Sequence, residues 1–478
     1  MTKNFFYLFM VLGLALVATS CDSDNECDTT CPAGQVQLLN CSCATDANTI
    51  TPHPCPDLTC PAGQGAVIAG NTCSCQALAS SVDPCDATNC PEGFICDGGN
   101  CIVDPAVTQI IDKSGEISAD ETWTAGNVYI LKDRVTVTNG AKLTIEAGVV
   151  VKGEAGTGAN ASALLVARGS QLMAMGTEAA PIIFTSIADE IMPGQIVSPN
   201  LTPDVNGLWG GVIVLGNAPI SAANESDEDV SEVQIEGIPT SDANGLYGGT
   251  DAADNSGTIT YISIRHGGSN IGEGNEINGL TLGGVGSGTT INNVEIVANQ
   301  DDGIEWFGGD ASIDGALVWN CGDDGLDTDQ DWNGSCTNFL VVTPVGGSGF
   351  ELDGPEGSTQ RGFHTFDNGA LFAGGEVDHL VDWDGSTNAA ITNLYIFGLP
   401  EGYPTDFPTP IESFGGDGSG TSSAWEVTLP AGAGLDILGD AAGITTEVAV
   451  GSQTKGPRAS DFPWTWANQS GALGSIGL

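Results

Sequence analysis

Basic residues are scarce in this sequence: Lys and Arg together number 11, against 61 Asp and Glu, and the net charge at pH 7 is -50. A polyanion of this size repels the phosphates of nucleic acids and the anionic headgroups of membranes. The sequence therefore excludes DNA, RNA and an electrostatically attracted membrane surface as partners. Strong acidity also keeps a protein soluble in salty water, where salt screens its self-repulsion, and we expect a marine or halotolerant source.

Long apolar runs are absent as well, apart from one near the N-terminus, Phe5 to Val17. This run is shorter than the roughly 20 residues that a membrane-spanning helix needs. It follows Lys3 and is followed by small residues and Cys21, which is the pattern of a secretory signal peptide. We predict a signal peptide over residues 1–20 and no membrane-spanning helix.

The residues around Cys21 resemble a bacterial lipobox, in which the cysteine after the signal peptide is acylated. The acidic stretch that follows, residues 22–26, resembles the tag that sends lipoproteins of the Bacteroidota to the outer face of the outer membrane. The resemblance implies lipidation of Cys21, anchoring in the outer membrane and exposure at the cell surface. An ordinary cleaved signal peptide followed by an unrelated cysteine is the alternative.

Cysteine is concentrated in one segment, since twelve of the 15 cysteines lie between Cys27 and Cys101 in three groups of four. The phrase CPAGQ occurs twice and CPEGF is a third variant. Exported modules too small for a hydrophobic core rely on disulfides. We predict that residues 21–103 form three disulfide-rich modules, similar to EGF-like or inhibitor-type modules, that serve as a stalk; zinc binding is the alternative. We also predict a disulfide between Cys321 and Cys336.

Helical periodicity is missing from residues 104–478, where short runs of Val, Ile and Leu alternate with Gly, Asn and Asp turns. The phrase INNVEIVANQDDGIEWFGGDAS is followed by IDGALVWNCGDDGLDTDQDWNGS, a period of roughly 22 residues that is typical of stacked solenoids. We predict an all-β fold for residues 104–478, a right-handed parallel β-helix of about 12 coils. The aromatic phrase FPWTW at 462–466 is predicted to cap the open end of the tube.

Several segments of this region resemble the opening coils of β-helix surface lipoproteins of the Bacteroidota. They are NGAKLTIEAGVVVKGE at 139–154, ALLVARGSQLMAMGTEAAPIIFTS at 163–186 and GLWGGVIVLGNAPI at 207–220. The resemblance implies a β-helix at the cell surface and says little about activity.

Four successive coils share the pattern apolar, acid, any residue, acid. Alternate residues of a strand face the same way, so the acids are predicted to face outward while their apolar neighbours fill the tube. Parallel strands lie about 4.8 Å apart, so the acids should stack in two files. The first predicted file is Glu305, Asp327, Glu351 and Asp382, and the second is Asp329, Asp353 and Asp384.

Carboxylates stacked at this spacing repel one another by about 1 kcal/mol per pair even in water. A bound Ca²⁺, a raised pKa of the kind a general acid needs, or simple solvation would each relieve the repulsion. We predict calcium, with the two files and two preceding Asp pairs as ligands; the Asp pairs also suit tight turns. The predicted ligands are Asp301, Asp302, Glu305, Asp323, Asp324, Asp327, Asp329, Glu351, Asp353, Asp382 and Asp384.

A catalytic alternative uses part of the same face. Several β-helix proteins cleave polysaccharides, and the acidic face invites comparison with polygalacturonase-type hydrolases, but only their Asp-Asp phrase is present here. A lyase would need a basic residue and Ca²⁺ to neutralise a uronate; Arg361 with His364, or Arg265 with His266, are available. The candidate catalytic residues are Asp327, Glu351, Arg361 and His364.

Tryptophans near the acids could stack on sugar rings. Strand alternation points Trp306 and Trp383 into the tube, whereas Trp332 follows Asp331 in a loop and is predicted to be the surface residue that stacks on a glycan.

Together these patterns favour a surface lipoprotein, rather than an enzyme, whose acidic β-helix binds calcium and a glycan or another surface component. A calcium-dependent polysaccharide lyase or glycoside hydrolase is one alternative. A structural spacer or accessory subunit of an outer-membrane complex is the other.

Overall fold

The computed structural model describes residues 108–478, except 159–160, 225, 270–276, 343–346, 375–376, 402–409 and 419, and the backbone of six short strands before residue 104. Contacts divide the chain into two compact units, Met1–Asp83 and Pro84–Leu478. The predicted signal peptide, the anchor at Cys21 and the disulfides of residues 27–101 lie outside the described side chains. Among the described residues, no helix is long and apolar enough to cross a membrane.

The six early strands pair as three antiparallel hairpins. These are β1 (Gln35–Gln37) with β2 (Cys43–Thr45), β3 (Gln64–Ala69) with β4 (Thr72–Ala77), and β5 (Phe94–Asp97) with β6 (Asn100–Val103).

The remaining described strands, β7 to β34, follow in chain order. They are Ile110–Ile117, Glu121–Trp123, Val128–Val137, Lys142–Glu146, Val150–Gly153, Ala163–Val166, Gln171–Met175, Ile182–Ser186, Val212–Leu215, Ala222–Ala223, Asp229–Val230, Val233–Gln234, Leu246–Tyr247, Gly257–Arg265, Leu280–Gly283, Thr290–Val297, Ile304–Phe307, Ile313–Trp319, Leu326–Asp329, Ser335–Val342, Phe350–Leu352, His364–Asp367, Ala370–Phe372, Asp382–Trp383, Ala389–Thr392, Tyr395–Phe397, Trp425–Val427 and Thr445–Glu447.

Twenty-four of these strands form one continuous sheet of parallel neighbours, which is a right-handed parallel β-helix and confirms the predicted fold. Ile304 pairs with Leu326, one period of 22 residues further along the chain. On one face, twelve strands of the described chain stack in succession, in agreement with the expected number of coils: β7, β9, β11, β14, β20, β22, β24, β26, β29, β32, β33 and β34.

Apolar residues fill the tube because alternate strand residues point inward. Ile304, Leu326 and Phe350 stack in register, and each is fully buried in one continuous core. Trp306 and Trp383 also lie in this core, at 0% and 1% exposure, which confirms their predicted inward orientation.

The predicted disulfide between Cys321 and Cys336 is wrong, because both are buried free thiols. Cys336 pairs with Ile313 at the start of β24, whereas Cys321 follows the end of that strand. The strand Ile313–Trp319 alone extends over roughly 20 Å at about 3.3 Å per residue step, and Cys321 lies beyond its end. A disulfide needs Cα atoms within about 7 Å.

The C-terminal segment lies along the side of the tube, so the predicted cap at its end is wrong. Short helices α1 (Trp466–Gln469) and α2 (Ala472–Ser475) pack with Phe462 on the outer face of the sheet that contains β22, β24 and β26. The core near the last coils is instead closed by the 3₁₀ helix Leu435–Ile444, through Leu438 and Ala441. The other two 3₁₀ helices of the described chain are Ala243–Gly245 and Ala459–Asp461.

A long insertion between β15 and β20, residues 216–256, forms a second layer on another outer face. We call it the cover segment. Its buried residues Ile220, Ile238 and Tyr247 pack on Leu215 and Phe307 of the underlying strands. The cover segment therefore shields the outward-facing side of these underlying strands from water.

Candidate metal centre

The predicted stacking of the first file of acids is confirmed. Glu305 pairs with Asp327, Asp327 with Glu351, and Glu351 with Asp382. The file is one coil longer than the sequence pattern indicated, because Ile411 forms a bridge with Val381 and so places Glu412 beside Asp382. We call this file the acid column; it comprises Glu305, Asp327, Glu351, Asp382 and Glu412.

A second file stands three residues earlier in each coil, and we call it the bridging column. It comprises Asn278, Asp302, Asp324, Ser348 and His379. Its position is set by the backbone ladder, in which the N–H groups of Gly279, Gly303, Gly325 and Gly349 donate to the carbonyl oxygens of Asp302, Asp324, Ser348 and His379.

Side chains of the bridging column reach the acids of the next coil. The amide of Asn278 donates from Nδ2 to Glu305, and Nε2 of His379 lies 3.4 Å from Oε2 of Glu412. Of the three positions between Asn278 and His379 in the bridging column, two carry carboxylates, Asp302 and Asp324. Both also serve the turn, since Asp302 Oδ1 accepts from the backbone N–H of Asp324 at 2.9 Å and Asp324 accepts from that of Ser348.

The second predicted file of acids follows the same register. The backbone N–H of Asp353 donates to Thr328 and that of Asp384 to Leu352, at 2.8 and 3.0 Å. Asp329 and Asp353 are half-buried and Asp384 is exposed.

Burial changes along the acid column. Asp302, Glu305 and Asp327 are 7, 7 and 8% exposed. Ile238 and Tyr247 of the cover segment pack beside Phe307, which lies on the strand of Glu305, and Glu236 of that segment acts electrostatically on Glu305. Further along, the side chains of Asp382 and Glu412 are 34 and 52% exposed. We call Asp302, Glu305 and Asp327 the covered end of the acid and bridging columns, and His379, Asp382 and Glu412 the open end.

Burial dominates the electrostatics of the covered end. It raises the pKa of Asp302, Glu305 and Asp327 well above the ordinary values, and the charges of neighbouring acids raise these pKa values further. The pKa of Glu351 is raised to about 9, first by a hydrogen bond with Asp324 and then by burial. That of Asp353 is raised to about 6, chiefly by burial.

Basic side chains do not relieve this charge in the part of the chain that the structure describes. Arg361 binds Asp310 through Nη2 with both contacts at 2.9 Å, and Arg265 is fully buried beside Glu295. Either protons or a bound cation must therefore balance the covered carboxylates.

The covered end fits a hard cation. Asp302, Glu305 and Asp327 each offer a carboxylate oxygen, and these atoms lie within 4.8 Å of one another. Ligand oxygens around Ca²⁺ lie about 2.3–2.6 Å from the ion, so oxygens on opposite sides of it are about 5 Å apart. Nearby, Oδ1 of the buried Asn278 has no hydrogen-bond partner among the described residues and offers a neutral oxygen. Asp301, Asp302 and Asp323 form a second such group.

The four candidate catalytic residues are not brought together. Asp327 and Glu351 face outward, whereas His364 lies inside the tube, 3.3 Å from Thr328 Oγ1 and tilted against Trp332. Burial lowers the pKa of His364 to about 4. Arg361 is held by Asp310 and by the carbonyl oxygens of Gly309 and Asp331. His266, the partner proposed for Arg265, is buried as well.

The predicted surface role of Trp332 is wrong. Its side chain is 0% exposed, stacks on Trp306 with ring centroids 4.5 Å apart, and donates to the carbonyl oxygen of Ala311. Gln330 and Asp331 both have positive φ, and this tight turn brings the indole into the core.

Sequence reasoning also missed Asn278, His379 and Glu412. Asn278 and His379 stand three residues before an outward-facing strand position, as Asp302 and Asp324 do. This constant spacing would have located both, whereas the isolated bridge at Ile411 leaves no strand pattern around Glu412.

Parallel coils around one continuous core define the class as that of parallel β-helix proteins. Residues 115–402 match the family model of the pectate-lyase like beta helix domain, and the chain belongs to this family. Neither a curated protein nor a solved structure matches the chain.

Proposed function

We propose that this protein binds calcium ions along the acid and bridging columns and, through the exposed part of that face, an anionic polysaccharide at the cell surface. The observation that carries the proposal is the covered end, where Asp302, Glu305 and Asp327 are buried together with no Lys or Arg beside them in the described chain.

Calcium relieves the repulsion along the columns. Two carboxylates at this spacing repel by about 1 kcal/mol in water and by several at the effective dielectric of a protein. Ca²⁺ takes six to eight oxygens and accepts carboxylates and amide carbonyls together, which is the donor set of Asp302, Glu305, Asp327 and Asn278. The further Asp and Glu ligands predicted from the sequence continue this set along the face.

We expect the polysaccharide to bind at the exposed part of the face. Glu351, Asp353, Asp382 and Asp384 are half-buried or exposed, so an ion held there keeps positions open for an outside ligand. A uronate or sulfate group supplies oxygens of the type that Ca²⁺ prefers. The net charge of -50 would repel such a polymer, and a bound cation supplies the missing attraction.

Binding is favoured over cleavage because no free base is found among the described residues of this face: its imidazole, His379, lies against Asp382 and Glu412. A lyase needs a group that removes a proton from the sugar, placed within hydrogen-bond reach. In the described chain, Arg361 and Arg265 are tied to Asp310 and Glu295, and His364 is enclosed by aromatic rings. A lipid anchor at Cys21 would hold this face outside the outer membrane.

The calcium step is tested by isothermal titration of the full chain with CaCl₂ after removal of metal by chelator. Asp327→Asn should remove at least one calcium ion per chain or weaken its binding by about tenfold or more. Asp440→Asn, which alters an exposed acid away from the columns, is the matched control. Identical calcium titrations of Asp327→Asn and the parent would overturn the proposal.

The polysaccharide step is tested by native electrophoresis of the full chain through gels that contain one anionic polysaccharide each, with calcium or with chelator. Calcium-dependent retardation that leaves the polymer at its original length supports binding. Shortened polymer would replace the proposal with a calcium-dependent lyase or hydrolase, and no retardation with any polymer would favour a structural role.

A further inference from the structure

The open end of the acid column holds a histidine that calcium binding does not require. His379 occupies the bridging column, where it pairs with Ser348. The next acid of its own coil is Asp382, and Glu412 follows one coil later. All three residues are held by backbone pairing between coils, so their relative positions are set by the ladder.

Each ring nitrogen of His379 faces one of the two carboxylates. Nδ1 of His379 lies 3.7 Å from Oδ2 of Asp382, and Nε2 lies 3.4 Å from Oε2 of Glu412. One ligand atom from each residue lies within 4.8 Å of the other two. Their side chains are 22, 34 and 52% exposed, so an ion from solution can reach them.

The same arrangement occurs at the covered end. There, Asp302 is the bridging residue, Glu305 is the acid of its own coil and Asp327 is the acid of the next coil. His379, Asp382 and Glu412 take the same three positions in later coils. The fold thus builds one site geometry twice, and the bridging residue changes from a carboxylate to an imidazole.

We propose that His379, Asp382 and Glu412 bind a transition-metal ion of the zinc class. Imidazole nitrogen suits Zn²⁺, Cu²⁺ and Ni²⁺, whereas Ca²⁺ takes oxygen ligands. Two ligand atoms each about 2.1 Å from a tetrahedral zinc ion are about 3.4 Å apart, which matches the separation of His379 Nε2 and Glu412 Oε2. Three protein ligands leave the fourth position to water or to an incoming ligand.

The competing interpretation is an ion pair, in which a protonated His379 is shared by the two carboxylates. Such half-exposed pairs contribute little to stability and bind no metal. Zinc binding that depends on His379 therefore separates the two interpretations.

The test is titration of the full, untagged chain with ZnCl₂ in excess calcium. The cysteines of residues 27–101 are common to all variants, so the comparison is between variants. His379→Asn should lose one zinc ion per chain, and Glu412→Gln should bind that ion at least about tenfold more weakly. Asp440→Asn should behave like the parent.

Equal zinc stoichiometry and affinity in the parent, His379→Asn and Glu412→Gln would overturn the inference. Glu412 is the most exposed of the three, so its variant remains informative if His379→Asn fails to fold. The two proposals share Asp382, so they are separated through His379 and the covered end: His379→Asn should leave calcium binding by Asp302, Glu305 and Asp327 unchanged. Conversely, loss of calcium binding in Asp327→Asn with zinc binding intact would show that the two sites bind their ions separately.

Discussion

The covered and open ends of the acid column use the same strand positions but meet water differently. Asp302, Glu305 and Asp327 are buried, and the cover segment packs beside Phe307 on the strand of Glu305, whereas Asp382 and Glu412 remain in contact with solvent. Backbone register fixes which side chains meet at both ends. The degree of burial then sets the free-energy cost of an unbalanced carboxylate charge. Of the two ends, only the covered end therefore requires a proton or a cation.

The largest effect on stability is expected from a substitution in the core of the tube, beneath the covered end. Trp332→Ala removes an indole stacked on Trp306 and should lower the free energy of unfolding by about 3–5 kcal/mol. Urea unfolding followed by circular dichroism measures the loss. The same loss is expected with calcium and with chelator, since Trp332 packs inside the tube; a loss seen only with calcium would contradict this assignment.

Asp327→Asn should have the next largest effect, and it should depend on calcium. At a calcium concentration 100 times Kd, the parent gains about 2.7 kcal/mol from the ion, and this gain should disappear in the variant. With chelator, the variant should be at least as stable as the parent, because the amide at this buried position needs neither a proton nor a cation to balance it. Urea unfolding with and without calcium checks both expectations, and Asp440→Asn is the control.

A smaller effect on stability is expected from the titration of Glu351, which stands between the covered end and the open end. The folded pKa of Glu351, about 9, exceeds its ordinary value, so the folded chain binds the proton more tightly than the unfolded chain does. With chelator, this contribution to stability is complete below about pH 4 and is lost as the pH rises towards 9. Unfolding free energies measured across this range should fall less steeply in Glu351→Gln, and an equal slope would contradict the prediction.

The smallest effect is expected at the exposed acid Asp384. Its side chain accepts a hydrogen bond from Ser386 at 2.5 Å, and solvent screens its charge. Asp384→Asn should change the free energy of unfolding by no more than about 0.5 kcal/mol, with or without calcium. A change as large as that of Asp327→Asn would mean that exposure does not distinguish the two ends.

The stacking of the acids was predictable because their pattern is local. Gly303, Ile304 and Glu305 recur as Gly325, Leu326 and Asp327, and parallel coils bring equivalent positions together. The sequence of one strand shows which acids face outward, and the repeat period identifies the acid that each one stacks on in the next coil.

The burial of the acids was not predictable, because it depends on a distant part of the chain. Residues 216–256 show no strand periodicity that would assign them to this face, yet Ile238 and Tyr247 pack beside Phe307. Trp332 was assigned to the surface for a related reason: it follows an acidic turn, and only the fold reveals that its indole stacks on Trp306.

The recurrence of one site geometry in separate coils bears on how such a chain can evolve. An in-frame duplication of 22 residues, the spacing between Asp302 and Asp324, would add a complete coil together with its bridging residue and its acid. A single substitution at the bridging position then alters ion preference in one coil while the backbone pairing of its neighbours is kept. Asn278, Asp302, Ser348 and His379 are four different residues at one structurally equivalent position.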